Sequence, residues 1–297
     1  MTRVIIHAWF PYLAAERVRR DGDLPSAQPL VIVRAVNGAE LVESVCPLAH
    51  RLGLRGGMRL ADARALQPDL VSRAADEAAD RQDLHHLAMW ARRYCPLTAP
   101  ATAHMVGAGA SIAHDGNGIW LDVAGAAHLQ GGIRPLLADM ARRLRRAGLT
   151  ARLAVAPTCG AAWGLARYAP AARRYGCTRS ATPSARQLAS LMAGLPLAAL
   201  RLDGTICTAM AASGLRHIGD ILGMARAPLA ARFGQAVTYQ LDAALGHVNE
   251  SFAPLQPARP RVAMRQFAEP VAAPDDIHAL AISLADEMTA ILQQQGL

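Results

Sequence analysis

The chain has 297 residues, 52% of them hydrophobic and 18% charged, which allows roughly two domains with a substantial buried core. Lys and Arg number 31 against 23 Asp and Glu, a net charge of +8; that balance favours phosphate backbones as partners and is also met in ordinary Arg-rich soluble proteins. Cys46, Cys95, Cys159, Cys177 and Cys207 are far apart and never in a Cys-x-x-Cys spacing, which argues against a zinc ribbon or a disulfide scaffold and fits a reducing compartment.

Residues 4–7 predict a short strand and residues 11–20 a helix with Pro11 in its first turn. Residues 30–33 and 40–45 read as strands joined by Asn37-Gly38, a favoured hairpin turn. Two short helices surround Gly53-Leu54-Arg55-Gly56-Gly57-Met58 and end at Leu66, before Pro68. Residues 76–93 form a long amphipathic helix with Leu84, Leu87 and Trp90 on related faces, while 96–110 carry no assignable pattern. A strand at 119–123, a helix at 133–147 stopping at Gly148, a strand at 151–156 and a helix at 159–168 follow. Together these units predict an α+β sheet domain.

After about residue 168 the strand signals vanish, and 184–192, 196–200, 205–212, 218–222, 228–233 and 239–245 read as short helices. Pro254, Pro257 and Pro260, with Arg259 and Arg261, mark a linker. Ile277, Leu280, Leu284, Met288 and Ile291 are spaced 3, 4, 4 and 3 apart, an amphipathic helix, and the chain then stops like a truncated unit that opens without finishing. No signal-peptide block follows Met-Thr-Arg and no stretch is long and apolar enough to span a bilayer, so a soluble cytoplasmic protein is expected.

The most informative segment is Asp115-Gly116-Asn117-Gly118-Ile119-Trp120-Leu121-Asp122-Val123-Ala124-Gly125. Asp122 is the one carboxylate within its apolar strand, and a lone carboxylate there is more often a structural acceptor than a catalyst. The segment resembles the palm strand of Y-family translesion DNA polymerases, where Ser-x-Asp-Glu precedes an aromatic and Leu-Asp-x-Thr-Gly. Anchored on Leu121-Asp122-Val123-Ala124-Gly125, the resemblance puts Asn117 and Gly118 at the metal-binding Asp-Glu pair.

Three further blocks carry the resemblance in the same order. Residues 4–16 are similar to the block that bears an Asp-x-Asp for magnesium, yet the Trp9, Phe10, Pro11 segment has no acid, and from His7 onward only Glu16 offers one, past the strand end. Pro29-Leu30-Val31-Ile32-Val33 and Ala49 to Met58 resemble the fingers, where a Ser-Tyr-Glu-Ala-Arg stretch grips the incoming triphosphate; Pro47 and His50 match its Tyr and Arg. Residues 154–163 resemble Gly-Ile-x-x-Asn-Lys-x-x-Ala-Lys, with Thr158 and Cys159 at the Asn-Lys pair, so the triphosphate-binding Lys is missing at Cys159.

The resemblance covers nearly the whole chain. It implies a right-hand architecture: a ferredoxin-like palm at 1–20 and 76–167, small fingers at 21–75 and a helical thumb at 168–255, with Ser213 to Leu222 its most recognisable part. Residues 256–297 would be a linker and the first part of a little-finger domain. Ala-Glu-Arg-Val at 15–18 and Gly-Ala-Ala-Trp at 160–163 resemble the ImuB type, a polymerase-like protein of bacterial mutagenesis cassettes. Two-metal phosphoryl transfer needs clustered carboxylates, which neutral side chains do not replace. The implied function is therefore a noncatalytic, cofactor-free, metal-free adaptor that binds DNA and proteins in SOS-induced mutagenic translesion synthesis. Its implied partners are primer-template DNA, a RecA-like ImuA-type protein, an error-prone C-family polymerase and, through a region beyond residue 297, the sliding clamp. Two other readings stand beside it: a polymerase that recruits other acids such as Asp115 and Asp122, and a protein-interaction module that has lost DNA binding.

Two turns in the thumb-like region are candidates for helix-hairpin-helix units, whose backbone amides take phosphates without reading sequence. Arg232-Phe233-Gly234-Gln235 is the stronger and nominates Phe233, Gly234 and Gln235; Leu202-Asp203-Gly204 sets an acid beside the would-be phosphate. The alternative for both is a plain inter-helix turn. Arg259, Arg261 and Arg265, at the expected thumb to little-finger junction, complete the DNA-binding set. Arg142, Arg143, Arg145 and Arg146 lie near a helix C-terminus, where arginine complements the helix dipole, and a solvated role, DNA and a partner are all open there. His85-His86 beside Asp76, Asp80 and Asp83 reads as solvated helix, because adjacent helical residues point about 100° apart. Gly56-Gly57 lacks the Lys-Ser/Thr of a P-loop.

Overall fold

The apolar run at the N-terminus builds the innermost strand of the molecule, β1 (Ile5–Trp9), in which Ile5, Ile6, His7 and Ala8 are fully buried. The structure, a computed structural model, describes residues 3–22, 24, 25, 27–102, 105, 106, 116–170, 185–256, 262–267, 270, 271 and 273–294. They fall into two units, Met1–Leu255 and Gln256–Leu297. After β1 come α1 (Leu13–Asp21), β2 (Leu30–Val36), β3 (Ala39–Val45), α2 (Pro47–Arg51), α3 (Leu60–Leu66), β4 (Val71–Ala74) and α4 (Glu77–Ala91). Then follow β5 (Thr98–Pro100), β6 (Met105–Val106), β7 (Gly118–Asp122), α5 (Ile133–Arg146), β8 (Arg152–Ala156) and α6 (Cys159–Tyr168). The helices α7 (Ala185–Ala193), α8 (Gly204–Ala212), α9 (Ile218–Leu222), α10 (Arg226–Phe233) and α11 (Gln235–Leu245) lead to β9 (Ser251–Phe252).

β1 lies between β7 and β8 in an antiparallel sheet of order β5-β7-β1-β8. Side-chain alternation divides its two faces. Ile6, Ala8, Ile119, Leu121, Leu153 and Val155 pack with α4 and α5. Ile5, Trp120, Ala154 and Ala156 pack with α6 and the helices after it. The stripe Leu136, Leu137, Met140 and Leu144 holds α5 to the first face. A second sheet of order β3-β2-β4 carries its own core. Its hairpin turns at Asn37 and Gly38 with φ of 49° and 79°, the doubly left-handed turn their sequence calls for.

Four strands depart from the sequence pattern. Residues 98–100 and 105–106, without assignable periodicity, are β5 and β6. The helical stretch after residue 168 is not free of strand, because β9 pairs Phe252 with Met105 and Ser251 with Val106. β4 runs parallel to β2 from Leu30↔Val71 to Val33↔Ala74, although residues 71–74 carry no strand pattern of their own. Strands of two to four residues are specified by distant partners rather than by their own alternation. Helix ends also move: α10 starts at Arg226 and α11 at Gln235, so a single residue, Gly234, separates them.

The second unit contains α12 (Pro274–Gln294), on which Leu280, Leu284 and Met288 are half-buried. Val262, Met264 and Phe267 in the same unit are exposed. Among the described residues no helix is long and apolar enough to cross a membrane.

Candidate functional site

Strand register fixes what meets at the head of the central sheet. β1 and β7 pair His7 with Trp120 and Trp9 with Gly118, and β1 and β8 pair His7 with Ala154 and Trp9 with Arg152. Directly opposed antiparallel residues share a face, so His7, Trp9, Gly118 and Trp120 form one cluster. The His7 ring centroid lies 4.2 Å from that of Trp120, which stacks in turn on Phe252 at 6.1 Å. A Cβ on Gly118 would lie 2.6 Å from His7 Cε1 and 2.8 Å from the Ala8 carbonyl oxygen. No longer side chain fits there without displacing the imidazole. Asn117 precedes the strand, and its carbonyl accepts from the Phe10 N–H at 2.8 Å.

The neighbouring acids are committed elsewhere. Asp122 accepts from Arg3 Nε at 3.1 Å and from the Ala124 N–H. Glu16 lies in α1, away from the sheet end, and accepts from the Thr150 N–H and Oγ1 at 2.9 and 2.6 Å. Burial raises its carboxyl above the ordinary range, with the Thr150 hydrogen bonds opposing. Neutral Asn117, a hemmed-in Gly118 and an Arg-paired Asp122 do not fit a pair of divalent cations, which requires clustered carboxylate oxygens. Asp115 lies outside the described residues.

Beside this cluster a cleft of about 480 Å³ opens between the two sheets. Trp9, Tyr12, His50, Arg55, Asp80, Asn117 and Arg152 line it. His50 turns its ring edge towards Tyr12, with centroids 5.6 Å apart, and burial followed by the Arg55 charge lowers its pKa. Asp80 bonds Arg17 Nε at 2.7 Å, yet burial still raises its pKa. Below Trp9, Arg167 is sandwiched between indoles, 4.7 Å from the Trp9 centroid and 4.3 Å from that of Trp163. Pro47 serves as the first residue of α2, where its missing N–H costs nothing.

Thr158 caps α6 by accepting from the Ala161 N–H, and donates to the Ala244 carbonyl. Cys159 is fully buried, and burial, then Glu250, pushes its thiol up to about 12. Glu250 forms a wholly buried ion pair with Arg201 at 2.7 Å, and its carbonyl accepts from Arg3. Arg3, Arg201 and Glu250 had no signal in the sequence, because each is an isolated charge whose partner is remote in the chain.

The two hairpin candidates differ in how their helix starts are served. At the first, the Asp203 carboxylate itself accepts from the Thr205 N–H and Oγ1 at 2.8 and 2.6 Å, which lowers its pKa. At the second, Gly234 adopts φ 95° and ψ 156°, and no side chain caps α11. Gly234 and Gln235 are exposed, Phe233 is half-buried, and the Arg232 guanidinium lies 5.1 Å from the Phe233 ring centroid. In the second unit Arg265 pairs with Glu287 at 3.4 Å. Arg259 and Arg261 lie outside the described residues. His85 and His86 are exposed on α4, their rings 6.4 Å apart.

Residues 11–167 match the model of the impB/mucB/samB family. The chain is 38% identical over 246 residues to Protein ImuB of Caulobacter vibrioides strain NA1000 / CB15N, covering 82% of this chain and 49% of that protein. The chain thus belongs to the impB/mucB/samB family, the UmuC/DinB group of Y-family polymerases and their homologues. It spans about half the length of the curated relatives it matches. Among solved structures, DinB from Sulfolobus solfataricus superposes with a TM-score of 0.60 at 16% identity, covering 82% of this chain and 67% of that one. An insertion ternary complex of Dbh DNA polymerase gives 0.59 at 16% identity with the same coverage. These likenesses establish the α+β Y-family fold.

Proposed function

We propose that the chain is a noncatalytic Y-family member that binds primer-template DNA without sequence preference and acts as an adaptor in SOS-induced translesion synthesis and repair. The observation that carries this reading is the packing of His7, held against Trp120, into the space a side chain at position 118 would need, where an acid would have to stand. In it, 1–20 with 76–167 serve as palm, 21–75 as fingers, 168–255 as thumb, and 256–297 as linker and start of a little finger. DNA would be held by the uncapped start of α11 at Phe233, Gly234 and Gln235, with Arg259, Arg261 and Arg265 contributing along the backbone. A ternary complex of a DNA polymerase among the fold neighbours supports a nucleic-acid partner.

In this reading, which takes its lead from the likeness to a protein named ImuB, the adaptor joins a RecA-like ImuA-type protein, a C-family polymerase and a sliding clamp. Such an adaptor works in the cytoplasm, on the nucleoid after DNA damage. Fluorescence anisotropy with labelled primer-template tests the DNA half. Affinity should fall linearly with salt on logarithmic axes and be indifferent to sequence. The reading of a pure protein-interaction module draws on Asp203, which occupies its own helix start; absence of binding at low salt would select it.

A further inference from the structure

On the sheet face opposite α6 and the later helices, α4 with the turn after it and α5 carry exposed arginines around the half-buried Trp90, with Tyr94 buried beneath them. The Arg93 guanidinium lies 5.0 Å from the Trp90 centroid, and Trp90 meets Tyr94 edge-on at 5.6 Å. Tyr94 donates to Asp139 at 2.8 Å, and Asp139 also accepts from Arg143 at 2.7 Å and from Arg142. The Asp139 carboxyl is held down to about 2, first by Arg143 and then by Tyr94. One turn further along α5 stand Arg145 and Arg146, both exposed. No carboxylate pairs with either among the described residues.

Arg142, Arg145 and Arg146 are related as i, i+3 and i+4, so their charges sit side by side and repel. The dipole at the end of α5 offsets part of this, but its influence is confined to the last turn and is shared among all four arginines. One carboxylate, Asp139, already serves two of them. This face therefore carries cationic charge without a local counterpart, beside a half-buried Trp90. Arginine and tryptophan are the residue types that dominate protein-protein hot spots.

We infer that this α4–α5 face is a docking surface for an acidic segment of a protein partner, whose carboxylates reach Arg145 and Arg146 while an apolar side chain rests on Trp90. Duplex DNA fits less well, because the Asp139 carboxylate and the half-buried Trp90 ring stand among the arginines, where a continuous polyanion would meet an acid and an apolar surface. The central sheet also separates this face from the Gly234 hairpin. The inference rests on the adaptor reading for the existence of a partner. The two fail separately, since peptide binding is independent of both DNA affinity and nucleotide addition.

The test uses the full chain and a fluorescein-labelled synthetic peptide of Asp and Glu interspersed with Leu and Phe. A same-length Asn/Gln version is the control, and binding is read by anisotropy at low salt. The acidic peptide should bind in preference to the control. Arg145→Glu with Arg146→Glu should weaken it about tenfold or more, with primer-template affinity changed less than about twofold. Trp90→Ala should weaken it as well, and a Lys-substituted peptide should prefer the charge-reversed variant. Equal binding of acidic and neutral peptides by the natural chain would overturn the inference. So would an unaltered peptide affinity in the charge-reversed variant with a native melting curve, or a parallel loss of DNA affinity.

Discussion

His7 and Gly118 are diagonal neighbours across the β1–β7 pairing, and the imidazole occupies the space a side chain at 118 would need, 2.6 Å from an ideal Cβ. Gly118→Ala should therefore cost about 1–3 kcal/mol of stability by overpacking. His7→Ala in the same chain should recover part of that loss, because the two sites are in contact and couple by about 0.5–3 kcal/mol. The recovery is partial because the Ala8 carbonyl also stands 2.8 Å away. Urea unfolding of the two single variants and the double variant measures this. A Gly118→Ala protein as stable as the parent would show that the imidazole is not locked in place.

The buried Arg201–Glu250 pair joins the helical region to the segment entering β9. Glu250→Gln leaves a guanidinium uncompensated in the core and should cost about 3–5 kcal/mol. Replacing both, Arg201→Met with Glu250→Leu, should come out neutral to about 4 kcal/mol more stable. Denaturant midpoints of the two variants beside the parent decide the matter, and equal losses in the single and double variants would refute the coupling.

Glu16 gives a pH signature of definite sign. Burial raises its folded pKa above the usual 4.5, so the protonated form is favoured in the native state. The stability this contributes is fully present below the unfolded pKa and is lost as pH rises through the folded one. Glu16→Gln, which stays neutral, should gain on the parent progressively as pH rises above about 4.5. Melting temperatures across the acid to neutral range test this, and an offset constant with pH would contradict it.

Gly234, at φ 95° and ψ 156°, occupies a backbone region that is essentially reserved for glycine. Gly234→Ala should cost about 1–3 kcal/mol and misalign the first amides of α11. Primer-template affinity should then fall by the same factor on every sequence, since backbone amides read phosphate and not bases. Undiminished DNA affinity in this variant would remove the hairpin from the interface.

Much of the fold is legible in the sequence where a local signal suffices. Asn37-Gly38 specifies its own turn, and the α5 stripe specifies a buried face. Asp76, the first residue of the expected 76–93 helix, stands outside α4 and caps it by accepting from the Ala79 N–H. β5, β6 and β9 escape notice because two or three residues carry no measurable period, and Met105↔Phe252 spans about half of the chain. The neutral residues at 117 and 118 can be read from the strand motif. What fills the space beside them cannot, because His7 meets Gly118 only once strand register is known. For the same reason no pattern links Arg3 to Asp122 or Arg201 to Glu250.

Primer extension by the purified chain tests most directly whether the packed His7–Trp120 site transfers nucleotides. A labelled primer on its template should remain unextended with magnesium or manganese, all four deoxynucleotides and excess protein, under conditions where the same preparation binds the duplex. Template-directed addition of nucleotides that copurifies with the chain and is lost on changing Asp122 would contradict a noncatalytic adaptor.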